Sequence, residues 1–194
     1  MKNVKFLILL IAIALINCER DDICASTTQT TPRLIVEFYD ATDTDELLNV
    51  SRITVYGEGL VTDDDGNIIE PLEESDATLL FNENANTIEL PLIIGAEGVE
   101  ATITTRYVLE KDTDLRIEDE DDTTNSNIDI IEITYNTEFV YVSRACGYKS
   151  NFNSLGVSRE TETNGDNWIS NIEIEETTQQ SIEDENTTHV RIYH

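Results

Sequence analysis

The stretch IDIIEITYNTEFVYVSRACGY, residues 128–148, constrains the fold more than any other part of this chain. Its apolar and β-branched residues recur every second position, a spacing that lines one face of a strand and that no helix can bury on one side. It reads either as a hairpin turning at Asn136-Thr137 or as one long strand with a bulge there. Shorter segments repeat the pattern. RLIVEFYD alternates Leu34, Val36 and Phe38 against Ile35, Glu37 and Tyr39, with Pro32 ahead as a strand-entry residue. SRITVYGEG places Ile53 and Val55 on one face, and ATLLFN and TIELPLI follow, separated by the turn-like cluster ENAN. VEATITTRYVLE, NWISNIEIEE and THVRIYH complete the set. Only DTDELLNV has the look of a helix, and a brief one. Eight or nine short antiparallel strands without intervening helices predict an all-β chain, a single immunoglobulin-like or fibronectin-like β-sandwich.

The connections carry two kinds of signal. In TDDDGNII, Asp65-Gly66 marks a hairpin turn, a dipeptide that accepts positive φ at little cost. Two acidic insertions, 111–127 and 158–167, are nearly free of apolar residues and are expected as solvated, mobile loops. Acidic loops raise the question of calcium. An EF-hand register with Gly66 at position six puts Val61 at one and Leu72 at twelve, where oxygen ligands are required, so that register fails. A looser calcium site there or at Asp119 to Asp122 is the weaker reading, and no cofactor or metal centre is expected.

The first residues have a different character. Lys2 and Lys5 precede an apolar run from Phe6 to Ile16, of about eleven residues where roughly 20 are needed to cross a bilayer. The run has the size of a signal-peptide core. LINC then resembles a bacterial lipobox, with Asn17 where a smaller residue is usual, and this implies cleavage before Cys18 and lipidation there. The expected organisation is a signal peptide over 1–17, a short lipidated tether over 18–24 and a sandwich domain over 25–194. Two cysteines remain, Cys24 and Cys146. In an oxidising compartment they read as a disulfide, with two free thiols or a metal site as alternatives. Two sulfurs and only two histidines, His189 and His194, make a poor zinc set.

All forty acidic residues lie beyond residue 17, against ten of the twelve basic ones, a formal charge of −30 for that part of the chain. Such a surface repels nucleic acid and anionic lipid and attracts cations. No catalytic set emerges. His189 lies inside a strand pattern and His194 at the end, so a Ser-His-Asp arrangement has little to recruit. Acidic pairs are too abundant to signify, and Trp168 reads as core. Positive charge gathers in one place, SRACGYK, where Arg144 and Lys149 bracket Cys146. A Cys24–Cys146 bond would bring DDIC alongside, so that Asp21 or Asp22 pairs with Arg144 or Lys149. A basic contact for a partner or ligand is the alternative.

CERDDICASTTQTTPRLIVEFYD, VYVSRACGYKSNF, NWISNIEI and the closing HVRIYH together resemble a family of uncharacterised lipoproteins of the Bacteroidota, chiefly flavobacteria, classed as a domain of unknown function. The resemblance spans the chain from Cys18 onward. It implies a lipidated Cys18, recurring cysteines at 24 and 146, and no activity. ERDD after Cys18 also resembles the acidic signals that send some lipoproteins of this phylum to the cell surface.

The expected protein is lipid-anchored in the outer membrane, on its periplasmic or cell-surface side, and monomeric on its own. The leading expectation for function is a non-enzymatic accessory docking on a membrane protein such as a β-barrel. The alternative is a binding module for a soluble glycan, peptide or calcium ion, and an enzyme is the least favoured.

Overall fold

Leu34, Val36 and Phe38 alternate along the first strand and all three are fully buried, each worth about 1.5–3 kcal/mol for the area removed from water. The same logic, repeated strand by strand, builds the molecule. The computed structural model describes residues 23–28, 30–118, 125–160, 166–175 and 180–194. Its elements are β1 (Leu34–Tyr39), β2 (Val50–Gly57), β3 (Thr78–Ala85), β4 (Thr87–Leu90), β5 (Ile103–Lys111), the short helix α1 (Thr113–Glu118), β6 (Asn127–Ser143), β7 (Gly147–Arg159), β8 (Asn171–Ile174) and β9 (Val190–Tyr193).

The nine strands form two sheets, one ordered β4-β1-β9-β8 and the other β3-β2-β5-β6-β7. The fold is a β-sandwich. Its core lies between the sheets, with Leu34, Val36, Phe38, Leu90, Val190 and Ile192 facing Ile53, Val55, Leu109, Ile131, Ile133, Tyr135 and Phe152. Six of the seven ladders are antiparallel, as the sequence implies. The seventh pairs β1 with β9 in parallel, Val36 opposite Val190 and Tyr39 opposite Tyr193. A parallel neighbour needs a long crossover, and here nearly the whole domain supplies it, because β1 and β9 are its first and last strands. Outside that ladder Arg191 lies over the Tyr39 ring at 4.8 Å, with Tyr193 beside it.

β6 resolves the ambiguity of residues 128–148 as one long strand. It pairs with β5 from Asn127 to Tyr135 and with β7 from Ile131 to Ser143. The bulge falls on the partner. Thr134 lies opposite Gly156 and Asn136 opposite Asn153, so Ser154 and Leu155 both oppose Tyr135, and Ser154 takes a φ of +56°. This keeps Tyr135 pointing inward, edge-on to Phe152 at 5.1 Å, with its hydroxyl donating to the Ile93 carbonyl at 3.0 Å.

Three local expectations are corrected. DTDELLNV makes only a turn, closed by the Glu46 amide donating to the Asp43 carbonyl at 2.9 Å, after which Leu47 and Leu48 pair back along the end of β1. ENAN is no hairpin turn: β3 runs on to Ala85, and the chain crosses from one sheet to the other at Asn86. The acidic stretches are partly built in. In 111–127, Lys111 ends β5, Thr113–Glu118 is helical with Thr113 buried, and Asn127 starts β6. In 158–167, Ser158 and Arg159 end β7 and Asn167 is hydrogen-bonded to Asp129. The intervening 119–124 and 161–165 lie outside the described residues.

Candidate functional site

The turn of the β6–β7 hairpin spans Ser143 to Gly147, where Gly147 takes a φ of +72° and the Cys146 amide donates to Ser143 Oγ at 3.0 Å. Cys146 therefore sits at the hairpin tip, and there it is bonded to Cys24, with Cα atoms 4.8 Å apart. The disulfide expected from the cysteine count is present, and it closes a separation of 122 residues. From Cys24 the chain runs down the hairpin toward β1. Thr31 Oγ1 accepts from the Ser150 amide at 3.0 Å, and Arg33 clamps Glu185 through its backbone amide, Nε and Nη2, at 2.8, 2.9 and 2.8 Å. That clamp holds the Glu185 carboxyl down at about 2, chiefly by the side-chain hydrogen bonds from Arg33.

The residues around the staple are unlike the rest of the surface. Tyr141 and Tyr148 are cross-strand partners with ring centroids 5.3 Å apart in an edge-on arrangement, and both are exposed, as is Ile23 beside Cys24. Arg144 is exposed at the turn and makes no ion pair with an acidic side chain among the described residues. Lys149 donates to the Glu183 backbone carbonyl at 2.8 Å, tying β7 to the segment before β9. Cys18, Asp21 and Asp22 lie outside the described residues.

A second feature lies on the outer face of the five-stranded sheet, toward the opposite end of β6. Tyr56, Val108 and Ile130 stand side by side on β2, β5 and β6. With Val61, Ile69 and Ile128 they form a small apolar cluster separate from the core. Ile68 and Leu72 overhang it, both largely exposed, and the result is an open groove of about 610 Å³. One wall is polar. Arg116 of α1 donates to both oxygens of Glu110 at 2.6 and 2.8 Å, and to the Pro71 carbonyl at 2.8 Å. Glu110 is fully buried and also accepts from Ser126 Oγ. Its bonds raise the Arg116 pKa above the usual guanidinium value, while burial, then the Glu110 charge, push the Tyr56 phenol up. Sequence reasoning missed this groove. The signal was available: in IDIIEI and YVL apolar residues occupy both faces of the strand, which means that something covers the outer face as well.

The remaining candidates have structural employment. The Asp65-Gly66 turn forms, with Gly66 at a φ of +82°, but Asp63 organises it. Asp63 Oδ1 accepts from the amides of Asp65 and Asn67 at 2.9 and 2.8 Å, and the hydrogen bonds to Asn67 hold its carboxyl low. His189 is buried, and its Nδ1 accepts the Ile35 amide at 2.9 Å. Trp168 packs partly buried against the core, between Phe38 at 6.1 Å and His194 at 5.6 Å. Among the described residues no three His, Cys, Asp or Glu side chains gather to hold a metal ion, and no helix is long and apolar enough to cross a membrane.

A family model described as "Family of unknown function (DUF6452)" matches residues 52–194, from within β2 to the last residue. Comparison with curated proteins and with solved structures finds no match.

Proposed function

The chain belongs to the DUF6452 family, a family of unknown function, and for this member we propose a lipid-anchored accessory protein of the outer membrane, without enzymatic activity, that docks on a membrane protein such as a β-barrel. The observation that carries the reading is the Cys24–Cys146 bond. With cleavage before Cys18 and lipidation there, the domain is fastened to the bilayer by a leash of six residues, at most about 20 Å when extended. A leash that short narrows the orientations available and raises the effective concentration of the domain for anything embedded beside it. Mass spectrometry of residue 18 tests the anchor, and protease shaving of intact cells tells the periplasmic from the cell-surface side. Mild crosslinking in native membranes tests the docking. Recovery of an acylated protein with no crosslinked neighbour argues against an accessory role.

A second reading, a binding module for a soluble ligand, is favoured by the groove beside Arg116. Its apolar floor suits the side chains of a peptide or the apolar face of a glycan better than a calcium ion. A rise in melting temperature on titration with peptide or glycan mixtures, abolished by Val108→Arg in the groove floor, supports this reading over the first.

A further inference from the structure

We propose that the tip of the β6–β7 hairpin, through Tyr141, Tyr148 and Ile23, rests in the headgroup layer of the bilayer and fixes the domain upright on it; the inference rests on the lipid anchor at Cys18. Three independent observations converge on that tip. The first is where the chain leads: Cys24 is bonded to Cys146 in the hairpin turn, so the leash to Cys18 leaves from the tip itself, and about 20 Å is the farthest the tip can stand from the anchoring residue.

The second is side-chain chemistry. Tyr141 and Tyr148 pair across the strands and are 58% and 63% exposed, and Ile23 is 83% exposed. Two rings held against each other at the end of a hairpin have little rotamer freedom left to lose. A tyrosine offers an apolar body and a wet hydroxyl, the combination enriched where bilayer meets water.

The third is charge. Residues 139–159 contain no Asp or Glu, in a chain with forty of them, but do contain Arg144 and Lys149. A phosphate-bearing surface is therefore repelled less by the hairpin's own residues than by the acid-rich segments of the chain. In sequence the leash adds three acidic residues, Glu19, Asp21 and Asp22, and one basic residue, Arg20, so the contact is carried by the tyrosine rings and does not depend on anionic lipid.

An orientation follows. Ile130 in the groove and Tyr141 at the tip are eleven residues apart on β6, about 36 Å at the rise of a strand. With the tip on the bilayer, the groove opens well away from it, toward whatever is dissolved above.

The test uses the full acylated protein, labelled with 3-fluorotyrosine and placed in nanodiscs of phosphatidylethanolamine with a tenth part of phosphatidylglycerol, as ~10% of the lipid, containing a headgroup nitroxide lipid. Fluorine spectra resolve the seven tyrosines, with Tyr141→Phe and Tyr148→Phe assigning the two of interest. The expected result is that the resonances of Tyr141 and Tyr148 broaden away while those of Tyr56, Tyr107 and Tyr135 persist, unchanged when phosphatidylglycerol is left out. A second arm couples the Cys18 thiol of the unacylated chain to a maleimide lipid, the other two cysteines being bonded to each other. Broadening in that arm alone, with residue 18 unacylated in cells, removes the native anchor and leaves the tip's preference standing. Resonances of Tyr141 and Tyr148 that stay sharp in both arms, with residue 18 acylated in cells, overturn the proposal and leave the anchor intact. Broadening that requires phosphatidylglycerol overturns the claim that tyrosine rings carry the contact.

Discussion

The Glu110 carboxylate, without solvent exposure, meets the Arg116 guanidinium through two hydrogen bonds of 2.6 and 2.8 Å. The pair locks α1 to the end of β5 and, through the Pro71 carbonyl, to the rim of the groove. Removing one partner leaves a buried charge uncompensated. Arg116→Met is expected to cost about 3–5 kcal/mol, whereas replacing both partners by apolar residues of similar size restores much of the loss. Urea unfolding of the single and double variants reads the difference. A single variant as stable as the parent would remove the pair from the fold's support.

Cys18 and Cys24 are expected to divide their work. Cys24→Ala opens a loop of 122 residues and lowers stability by up to about 4–5 kcal/mol on the chain-entropy argument. It leaves the protein in the membrane fraction. Cys18→Ala does the reverse, releasing the protein from membranes with its unfolding transition unmoved. Fractionation and thermal melts of both variants check the split, and identical behaviour would defeat it.

Much of the fold was legible because burial on one side of a strand imposes a period of two. Leu34, Val36 and Phe38, or Ile131, Ile133 and Tyr135, announce their inward face directly. What was illegible depends on partners distant in sequence. The parallel β1–β9 ladder brings together the two ends of the domain, and no local pattern distinguishes it from an antiparallel neighbour. Residues 136–137 read equally as a hairpin turn or as a bulge in one long strand; the strand runs through, and the extra residue sits on β7, where Ser154 reads as an ordinary strand residue. With Cys18 read as the lipidated residue, Cys24 and Cys146 have only each other to pair with if they pair at all, yet the exposed tyrosines beside them have the pattern of any strand aromatics. Only the register of β6 against β7 shows them paired at a tip.

Stability is expected to fall in two steps on acidification. Burial lowers the His189 pKa in the folded chain, against smaller opposing effects of the Asp184 backbone and the Asp184 and Glu185 charges. Its Nδ1 accepts the Ile35 amide, so a proton there sets donor against donor. The unfolded chain then binds the proton more readily, and stability drops as pH falls below about 6.5, the ordinary value for histidine. Glu185 acts lower. Its carboxyl, depressed to about 2 by Arg33, contributes stability that is complete above the ordinary glutamate value and lost as pH falls toward 2. Chemical denaturation across pH should show the first step reduced in His189→Gln, the remainder belonging to His194, whose pKa burial also lowers, and the second reduced in Glu185→Gln, Asp63 being held low as well. A parent flat between pH 7 and 5 would contradict the assignment of His189.

The Asn167-Trp168 dipeptide is expected to owe its place to Asp129. That carboxylate is fully buried at the start of β6. Its Oδ2 accepts the Ile169 amide at 2.7 Å, and its Oδ1 accepts from the Asn167 side chain. Between those two bonds Trp168 is presented to Phe38 and His194, with its indole N–H donating to the Leu109 carbonyl at 3.3 Å. Asp129→Ala strands a buried amide and should cost about 1–3 kcal/mol, the range for an unsatisfied buried group. Asp129→Asn keeps one acceptor oxygen and should cost less. Trp168 is the chain's single tryptophan, so its emission reports the site without further labelling. Loosening of the segment shifts that emission to longer wavelength in Asp129→Ala under conditions where the rest of the fold persists. An unshifted spectrum together with parental stability would mean that Trp168 is held by the core alone, with the carboxylate beneath it dispensable.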